Sequence, residues 1–224
     1  MVLGIITSIA ACPAIIGTTE AVRQGQRQNA KEKHRGRKAN LLVTCSDPSR
    51  KARDIHGGAV VLRDNKLWVT TVNPKARYAH FSEKATKEER IQERGHLFAG
   101  YFFGYPGSNW GRKGEGFVST VSDDPPQLNW VYIDKETYEV KYGLKVDAEG
   151  QLNGPWNVTP IDRRLSFDGW EGFTVVEEEP NSWALYFDVD DDGLEGKIEP
   201  GTRIMEIELT RQELRLKKED AYTG

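Results

Sequence analysis

The amino-acid sequence predicts a mainly β fold, an antiparallel β-barrel or β-sandwich with an N-terminal helical arm and one or two short helices. The first observation is that apolar residues alternate with polar residues along several short runs, as they do in half-buried strands. The second is that turn-forming residues separate these runs, since the 224-residue chain contains 22 glycines and 10 prolines. The third is that helical patterns are confined to a few charged stretches, which have no apolar face to bury.

The first 45 residues predict an arm that is apolar at its beginning and basic afterwards. Residues 1–17 are apolar, but they are fewer than the ~20 residues of a membrane-spanning helix. A capping threonine at Thr18 or Thr19, followed by Glu20, predicts a polar helix that ends near Arg35. Residues 21–53 contain ten lysines and arginines and two acidic residues, a net +8 in a chain whose total charge is −3.

This arm predicts attachment to an anionic membrane surface, because stable peripheral binding takes two signals and the arm offers an apolar and a basic one. Cys12 lies in the apolar part and is a lipidation candidate. Two alternatives remain open, a cleaved signal peptide and an arm that binds the protein's own acidic surface. The residues predicted to contact anionic groups are Arg23, Arg27, Lys31, Lys33, Arg35, Arg37 and Lys38.

The rest of the chain predicts a linker at residues 46–54, an antiparallel β domain at 55–210, and a short C-terminal helix and tail at 211–224. A hairpin is predicted from two apolar runs, 56–62 and 67–72, and a helix from the charged residues 82–94. The clearest alternation, from Tyr138 to Val146, predicts one long strand. The pair Thr210 and Glu213 has the spacing of a capping box, which predicts the C-terminal helix.

Two apolar runs enclose an acidic loop near the C-terminus. Trp183, Leu185, Phe187 and Val189 alternate on the first run, and Met205, Ile207 and Leu209 alternate on the second. The loop between them has the D-x-D-x-D-G-x5-E spacing of a calcium-binding loop, so calcium is a candidate cofactor. The alternative is an ordinary hairpin loop, in which Asp and Gly are common. The candidate calcium ligands are Asp188, Asp190, Asp192, Leu194 and Glu199.

Other motifs offer little evidence of chemistry. The His56-Gly57-Gly58 segment lacks the G-x-S-x-G partner that a hydrolase needs, so no catalytic residue is predicted and an enzyme is not expected. The glycine-rich loop 104–116 is not a phosphate-binding loop, but its Trp110, Arg112 and Lys113 are candidates for a ligand-binding rim. Core packing is the alternative role for the aromatic residues. Asn157-Val158-Thr159 is a glycosylation sequon.

The segment Phe167–Phe173, read Phe-Asp-Gly-Trp-Glu-Gly-Phe, resembles a protein family of filamentous fungi that has no known activity. The segment Trp183–Asp188, together with the DDDG sequence at residues 190–193, also carries this resemblance. The likeness covers the β domain and the arm. It implies a fungal source and no catalytic residues.

Two functions follow from these observations. The first is a non-enzymatic, membrane-associated or scaffolding β domain anchored by its arm, located in the cytoplasm at a membrane. The alternative function is a calcium- or ligand-binding β domain, with carbohydrate as one candidate ligand, that uses the 188–199 loop. The alternative location is outside the cell, as a secreted protein. An unknown protein partner is compatible with both functions. Nucleic acid is not expected as a partner, because the basic arm has no interleaved aromatic residues that could stack on bases.

Overall fold

The computed structural model describes residues 34–71, 95–107, 110, 114–123 and 126–214. The chain divides into two compact units, Met1–Arg37 and Lys38–Gly224. Only residues 34–37 of the first unit are described, and there the Arg37 N–H donates to the His34 carbonyl at 3.3 Å. Within these described ranges, no helix has both the length and the apolar character needed to cross a membrane.

The second unit is built mainly from short strands. Its described helices are α1 (Ala52–Ile55) and α2 (Lys145–Ala148). The described strands are β1 (Ala39–Thr44), β2 (Val60–Arg63), β3 (Lys66–Val69), β4 (His96–Leu97), β5 (Gly100–Phe103), β6 (Gly116–Asp123), β7 (Pro126–Ile133), β8 (Val140–Gly143), β9 (Trp156–Val158), β10 (Leu165–Phe167), β11 (Phe173–Glu179), β12 (Ser182–Phe187), β13 (Ile204–Glu206) and β14 (Glu208–Glu213).

The strands pair antiparallel, as the sequence predicts. The main sheet has the order β13-β11-β12-β3-β8-β7-β6-β5-β1-β14, with β2 paired to β3 and β4, while β9 and β10 form a separate two-stranded sheet. The order is open among the described strands: β13 and β14 lie at its two ends and are joined along the chain through Ile207. The prediction of a closed barrel is therefore wrong, although the prediction of a mainly antiparallel β fold is confirmed.

Side-chain alternation places the core on one side of the main strands. Trp183, Leu185 and Phe187 of β12 are fully buried in the largest apolar cluster, and Val189 packs against it. Met205, Ile207 and Leu209 join the same cluster from the returning chain, so both predicted alternations are confirmed. The intervening side chains form two smaller clusters. One contains Trp68, Val176, Ala184, Tyr186 and Leu194, and the other contains Trp110, Val118, Trp130 and Tyr132.

The predicted hairpin of residues 56–72 is present as β2 and β3, with four residue pairs in register. Its turn residues, Asp64 and Asn65, both have positive φ values, 50° and 59°. Two left-handed residues in a two-residue loop match the twist of the strands that they connect. Asp and Asn tolerate this conformation better than most side chains, so the turn sequence itself supports the hairpin.

Three predicted elements differ from the structure. The strand predicted from Tyr138 to Val146 is limited to β8, because Asp147 Oδ2 accepts the Leu144 N–H at 2.8 Å and α2 follows. Residues 211–213, assigned to a C-terminal helix, extend β14, which pairs along its whole length with β1. Residues 39–44, assigned to the arm, form β1 itself.

The remaining predicted segments are only partly accessible to comparison. The predicted linker, 46–54, contains the start of α1, whose Ala52 and Ile55 are buried. The helix predicted at 82–94 and the part of the helical arm before residue 34 lie outside the described residues, as does the chain after residue 214. The proposed division into independently folding domains stays a prediction.

Candidate functional site

A cleft of about 340 Å³ opens where three segments distant in sequence meet. The segments are the end of β1 with the residues after it, the turn that leads into β11, and the chain from the acidic loop to β14. We call this site the Trp170 cleft. Its lining residues are Thr44, Ser46, Trp170, Glu171, Gly172, Phe173, Thr174, Asp188, Asp191, Glu206, Ile207 and Glu208.

Trp170 is placed by a tight turn at the end of β10. The Phe167 N–H donates to the Trp170 carbonyl at 2.9 Å, and the Trp170 N–H donates back to the Phe167 carbonyl at 3.1 Å. Between them, Asp168 and Gly169 have φ values of 48° and 95°. Asp-Gly is a favoured pair for a two-residue hairpin turn, because both positions take the left-handed conformation. The local sequence therefore fixes the point at which the tryptophan leaves the strand.

The Trp170 ring is held from two sides and still faces solvent. Its centroid lies 5.4 Å from that of Phe187, at an interplanar angle of 71°, which is an edge-to-face contact. A Cβ atom at Gly172 would lie only 2.4 Å from ring atoms of Trp170, so glycine is needed for the ring to occupy this position. The residue remains 36% exposed. The Trp170 ring therefore lines the cleft in a restricted orientation and leaves part of its surface open to a ligand.

Asp188 connects this turn to the acidic loop. Its backbone N–H donates to the Gly172 carbonyl at 2.8 Å. Its carboxylate accepts the Gly193 N–H at 2.7 Å and the Asp192 N–H at 3.3 Å, while the residue is only 8% exposed. Such side-chain to backbone bonds stabilise turns. Asp188 therefore closes the first turn of its own loop and holds that loop beside the Trp170 cleft.

The other acidic side chains of the cleft differ in their surroundings. Glu171 and Glu208 share Arg164, whose Nε lies 3.0 Å from Glu171 Oε2 and whose Nη1 lies 3.3 Å from Glu208 Oε1. Asp191 and Glu206 are exposed, and neither side chain has a hydrogen bond or ion pair to a described residue. One guanidinium therefore pairs with two carboxylates of the cleft, and two more carboxylates have no partner among the described residues.

A family comparison agrees with this strand-rich architecture. A family model described as "Fungal beta-trefoil domain" matches residues 17–215, most of the 224-residue chain. The chain belongs to the fungal β-trefoil domain family. This confirms the predicted fungal family and replaces the choice between barrel and sandwich with a β-trefoil domain. Comparison of the chain with the curated proteins and with the solved structures gives no match.

The β-trefoil domain uses the predicted calcium ligands in separate contacts. Asp190 Oδ2 accepts the Tyr138 hydroxyl at 2.6 Å, and Asp192 Oδ1 accepts the Glu195 N–H at 3.0 Å. The Leu194 side chain is fully buried in an apolar cluster, and Glu199 is exposed. Over the part of the chain that is described, no three His, Cys, Asp or Glu side chains are grouped as a metal site requires. The calcium prediction thus gains no support.

A hydrogen bond from Tyr138 to Asp190 connects the acidic loop to another turn. The hydrogen bond to the Asp190 carboxylate, with a smaller effect of burial and of the nearby Asp192 and Asp188 charges, raises the pKa of Tyr138 to about 12. Lys197 lies over the Tyr138 ring, 4.0 Å from its centroid, and donates to the Glu136 carbonyl at 2.9 Å. These contacts connect the acidic loop to the turn between β7 and β8.

The predicted ligand rim is only partly described. Trp110 is 7% exposed and packs on Trp130, with the ring centroids 4.7 Å apart, so it belongs to a buried cluster of the trefoil domain. Arg112 and Lys113 lie outside the described residues. The predicted membrane contacts Arg37 and Lys38 are exposed and Arg35 is half-buried; the others, Arg23, Arg27, Lys31, Lys33 and Cys12, lie outside the described residues.

Trp170 is the main site residue that the sequence analysis misses. The Asp168-Gly169 pair before it is a strong two-residue turn signal, and an aromatic residue directly after such a turn is a candidate for exposure. That signal is readable in the sequence. The partners of Trp170 in the cleft, such as Thr44 and Glu206, are more than 30 residues away along the chain and carry no shared motif.

Proposed function

We propose that this β-trefoil domain is a non-enzymatic module that binds a saccharide in the Trp170 cleft. The observation that carries the proposal is a partly exposed tryptophan, fixed by Gly172 and Phe187, which lines the cleft together with acidic and hydroxyl side chains. β-Trefoil domains often bind carbohydrates or other ligands, which supports the same function. The proposal develops the ligand-binding alternative of the sequence analysis and assigns it to a different set of residues.

The physical case rests on the mixed character of a sugar. A pyranose ring has an apolar face of C–H groups and an edge of hydroxyls, so a binding site needs an apolar surface and polar partners at its border. Trp170 supplies the apolar surface, and Thr44, Ser46 and Thr174 supply hydroxyls that can donate and accept. A cleft of about 340 Å³ lies at the lower end of the range found for small-molecule sites.

A preformed binding surface is supported by the protein contacts of three of the five carboxylates that line the cleft. In the cleft, Glu171 and Glu208 pair with Arg164, and Asp188 accepts two backbone N–H groups of its loop. These three carboxylates therefore hold the protein together at the cleft, which suits a preformed binding surface.

The membrane hypothesis depends mainly on residues before position 34, which lie outside the described residues, so it stays a prediction. The same holds for the cytoplasmic or secreted location and for a protein partner. None of these is needed for the saccharide proposal.

The proposal is tested by measuring binding of the full-length protein to a panel of immobilised saccharides. Trp170→Ala should weaken binding of the selected saccharide by at least about tenfold, because a central tryptophan of a binding site typically contributes more than 1.4 kcal/mol. Gly172→Ala should also weaken binding, because the added Cβ displaces the Trp170 ring.

The matched control is Phe103→Ala. Phe103 is an aromatic residue of similar exposure, 44%, that does not line the cleft. Its replacement should leave saccharide binding unchanged. Equal loss of affinity in the Phe103 and Trp170 variants, or the absence of binding to every saccharide in the panel, would contradict the proposal.

A further inference from the structure

We propose that Asn157 carries an N-linked oligosaccharide, which makes the protein a glycoprotein of the secretory pathway. The inference is independent of the Trp170 cleft and of any ligand that the cleft binds. It rests on two observations together. Asn157-Val158-Thr159 is a glycosylation sequon, and the fold presents the asparagine of this sequon on the surface of the domain.

Side-chain alternation along β9 turns Asn157 outward. Its neighbour Trp156 is 1% exposed and belongs to the largest apolar cluster, whereas Asn157 is exposed. Successive side chains of a strand point to opposite faces, so the burial of Trp156 directs the next side chain away from that cluster. An oligosaccharide is bulky and hydrated, and a folded protein accommodates it only on a surface asparagine. Asn157 meets this requirement.

The sequon falls on a residue where the modification is compatible with folding. No other asparagine of the chain is followed two positions later by serine or threonine. Two other asparagines, Asn129 and Asn153, are each only 5% exposed, and an oligosaccharide there would prevent the surrounding side chains from packing. The sequence signal and the surface exposure therefore coincide at Asn157.

The chain that follows the sequon is also open to solvent. The Thr159 N–H donates to the Arg164 carbonyl at 2.9 Å, and the Arg164 N–H donates to Thr159 Oγ1 at 2.9 Å, so these two residues close a turn. Residues 160–163 lie within this turn and are all exposed, and Ile161 reaches 88%. The sequon therefore adjoins a segment of the surface that other parts of the described protein do not cover.

Thr159 has a structural role besides its place in the sequon, because its hydroxyl accepts the Arg164 N–H. A serine hydroxyl has the same donor and acceptor groups and satisfies both roles. Oligosaccharide transfer takes place while the chain is being exported, before the turn closes, so the hydrogen bond of the folded protein does not block it. The two roles of Thr159 are thus compatible, and substitutions separate them.

The proposed reaction transfers the oligosaccharide from a lipid diphosphate carrier to the Asn157 amide nitrogen. A bond forms between this nitrogen and the anomeric carbon of the first sugar, and the bond from that carbon to the diphosphate breaks. The diphosphate leaves with the bonding electrons, and one amide proton passes to a base of the transferring enzyme. The donor belongs to the secretory pathway, so the proposal requires export, for which the apolar residues 1–17 are the candidate signal.

The test is mass analysis of the intact full-length protein, expressed in a fungal host with its own N-terminus, before and after treatment with a peptide N-glycosidase. We expect the enzyme to remove the mass of one oligosaccharide and to leave aspartate at position 157. Asn157→Gln should abolish this mass shift without changing Tm, because the residue is exposed. The matched control, Thr159→Ser, keeps the sequon and the hydroxyl of the turn, and should keep the oligosaccharide.

Three outcomes would overturn the inference. The first is a protein whose mass is that of the bare chain. The second is an oligosaccharide that appears only when a foreign export leader is added, because the chain then does not reach the donor by itself. The third is an oligosaccharide that persists in Asn157→Gln. Saccharide binding by the Trp170 cleft is measured in a separate assay, so either proposal can fail while the other stands.

Discussion

Replacing Asp188 with alanine tests what holds the acidic loop in place. Asp188 is 8% exposed, and its two carboxylate oxygens accept the Gly193 N–H at 2.7 Å and the Asp192 N–H at 3.3 Å. The sequence analysis treats this residue as a calcium ligand, whereas the structure gives it a role in the apo loop. Its removal therefore affects stability without any ion.

The size of the effect follows from these two bonds. A hydrogen bond to a charged group contributes about 1.5–3 kcal/mol, and the longer Asp192 contact contributes less than the Gly193 contact. Because water reaches the exposed loop and satisfies part of the freed N–H groups, we expect a loss of about 1.5–3 kcal/mol in total. For a domain of this size, each 1 kcal/mol lowers Tm by about 2–4 °C, so the variant should melt about 3–12 °C below the parent.

Thermal and urea unfolding of the parent and the Asp188→Ala variant measure this loss. The control is Asp191→Ala, which removes an exposed acid of the same loop that has no described partner and should change stability by less than about 0.5 kcal/mol. An Asp188→Ala variant with the same Tm as the parent would refute the structural role of the Asp188 carboxylate.

The same two proteins test whether the acidic loop binds calcium. A site filled at one hundred times Kd would raise stability by about 2.7 kcal/mol. We expect no rise at millimolar calcium, because Asp188, Asp190 and Asp192 engage separate partners. A calcium-dependent rise in the parent that is lost in Asp188→Ala would restore the calcium prediction.

Two further predictions concern the core and the Tyr138 contact. Leu185→Ala should lower the free energy of unfolding in urea by about 2–5 kcal/mol, because Leu185 is 1% exposed. The control, Leu144→Ala, removes a side chain that is 45% exposed and should lower it far less. Equal losses in the two variants would contradict the assigned core. Because the hydrogen bond to Asp190 raises the pKa of Tyr138 to about 12, the folded protein keeps its proton where the unfolded chain, with a pKa of about 10, loses it. The stability that this hydrogen bond contributes is complete below about pH 10 and is lost as pH rises to about 12. Asp190→Asn should lower the Tyr138 pKa in an absorbance titration. An unchanged titration curve would count against the contact.

The sequence predicts elements well where one local pattern decides the structure. Leu185 and its neighbours alternate because β12 has a different cluster on each face, and the Asp64-Asn65 turn matches its hairpin. Prediction fails where a single contact ends a pattern. Alternation continues past Gly143, yet Asp147 accepts the Leu144 N–H and the chain turns into α2. The alternation of apolar and polar residues cannot reveal this hydrogen bond, since its acceptor is a polar side chain three residues further along the chain.

The functional site is harder to predict for a different reason. The acidic loop has the full spacing of a calcium loop, but spacing does not state whether a carboxylate faces an ion or the backbone of its own turn. Asp188 binds the backbone. The Trp170 cleft draws on chain segments that only the strand pairing brings together, such as the end of β1 and the turn before β11. No sequence motif spans that distance.

Gly172 explains why the aromatic surface and the acidic loop lie side by side. Its missing Cβ leaves room for the Trp170 ring, and its carbonyl accepts the Asp188 N–H at 2.8 Å. The Asp188 side chain then closes the loop that carries Asp191. The position of the ring and the position of the loop thus depend on the same backbone unit. A ligand that contacts Trp170 and Asp191 together meets groups whose spacing is set before it binds, which lowers the entropy that binding must overcome.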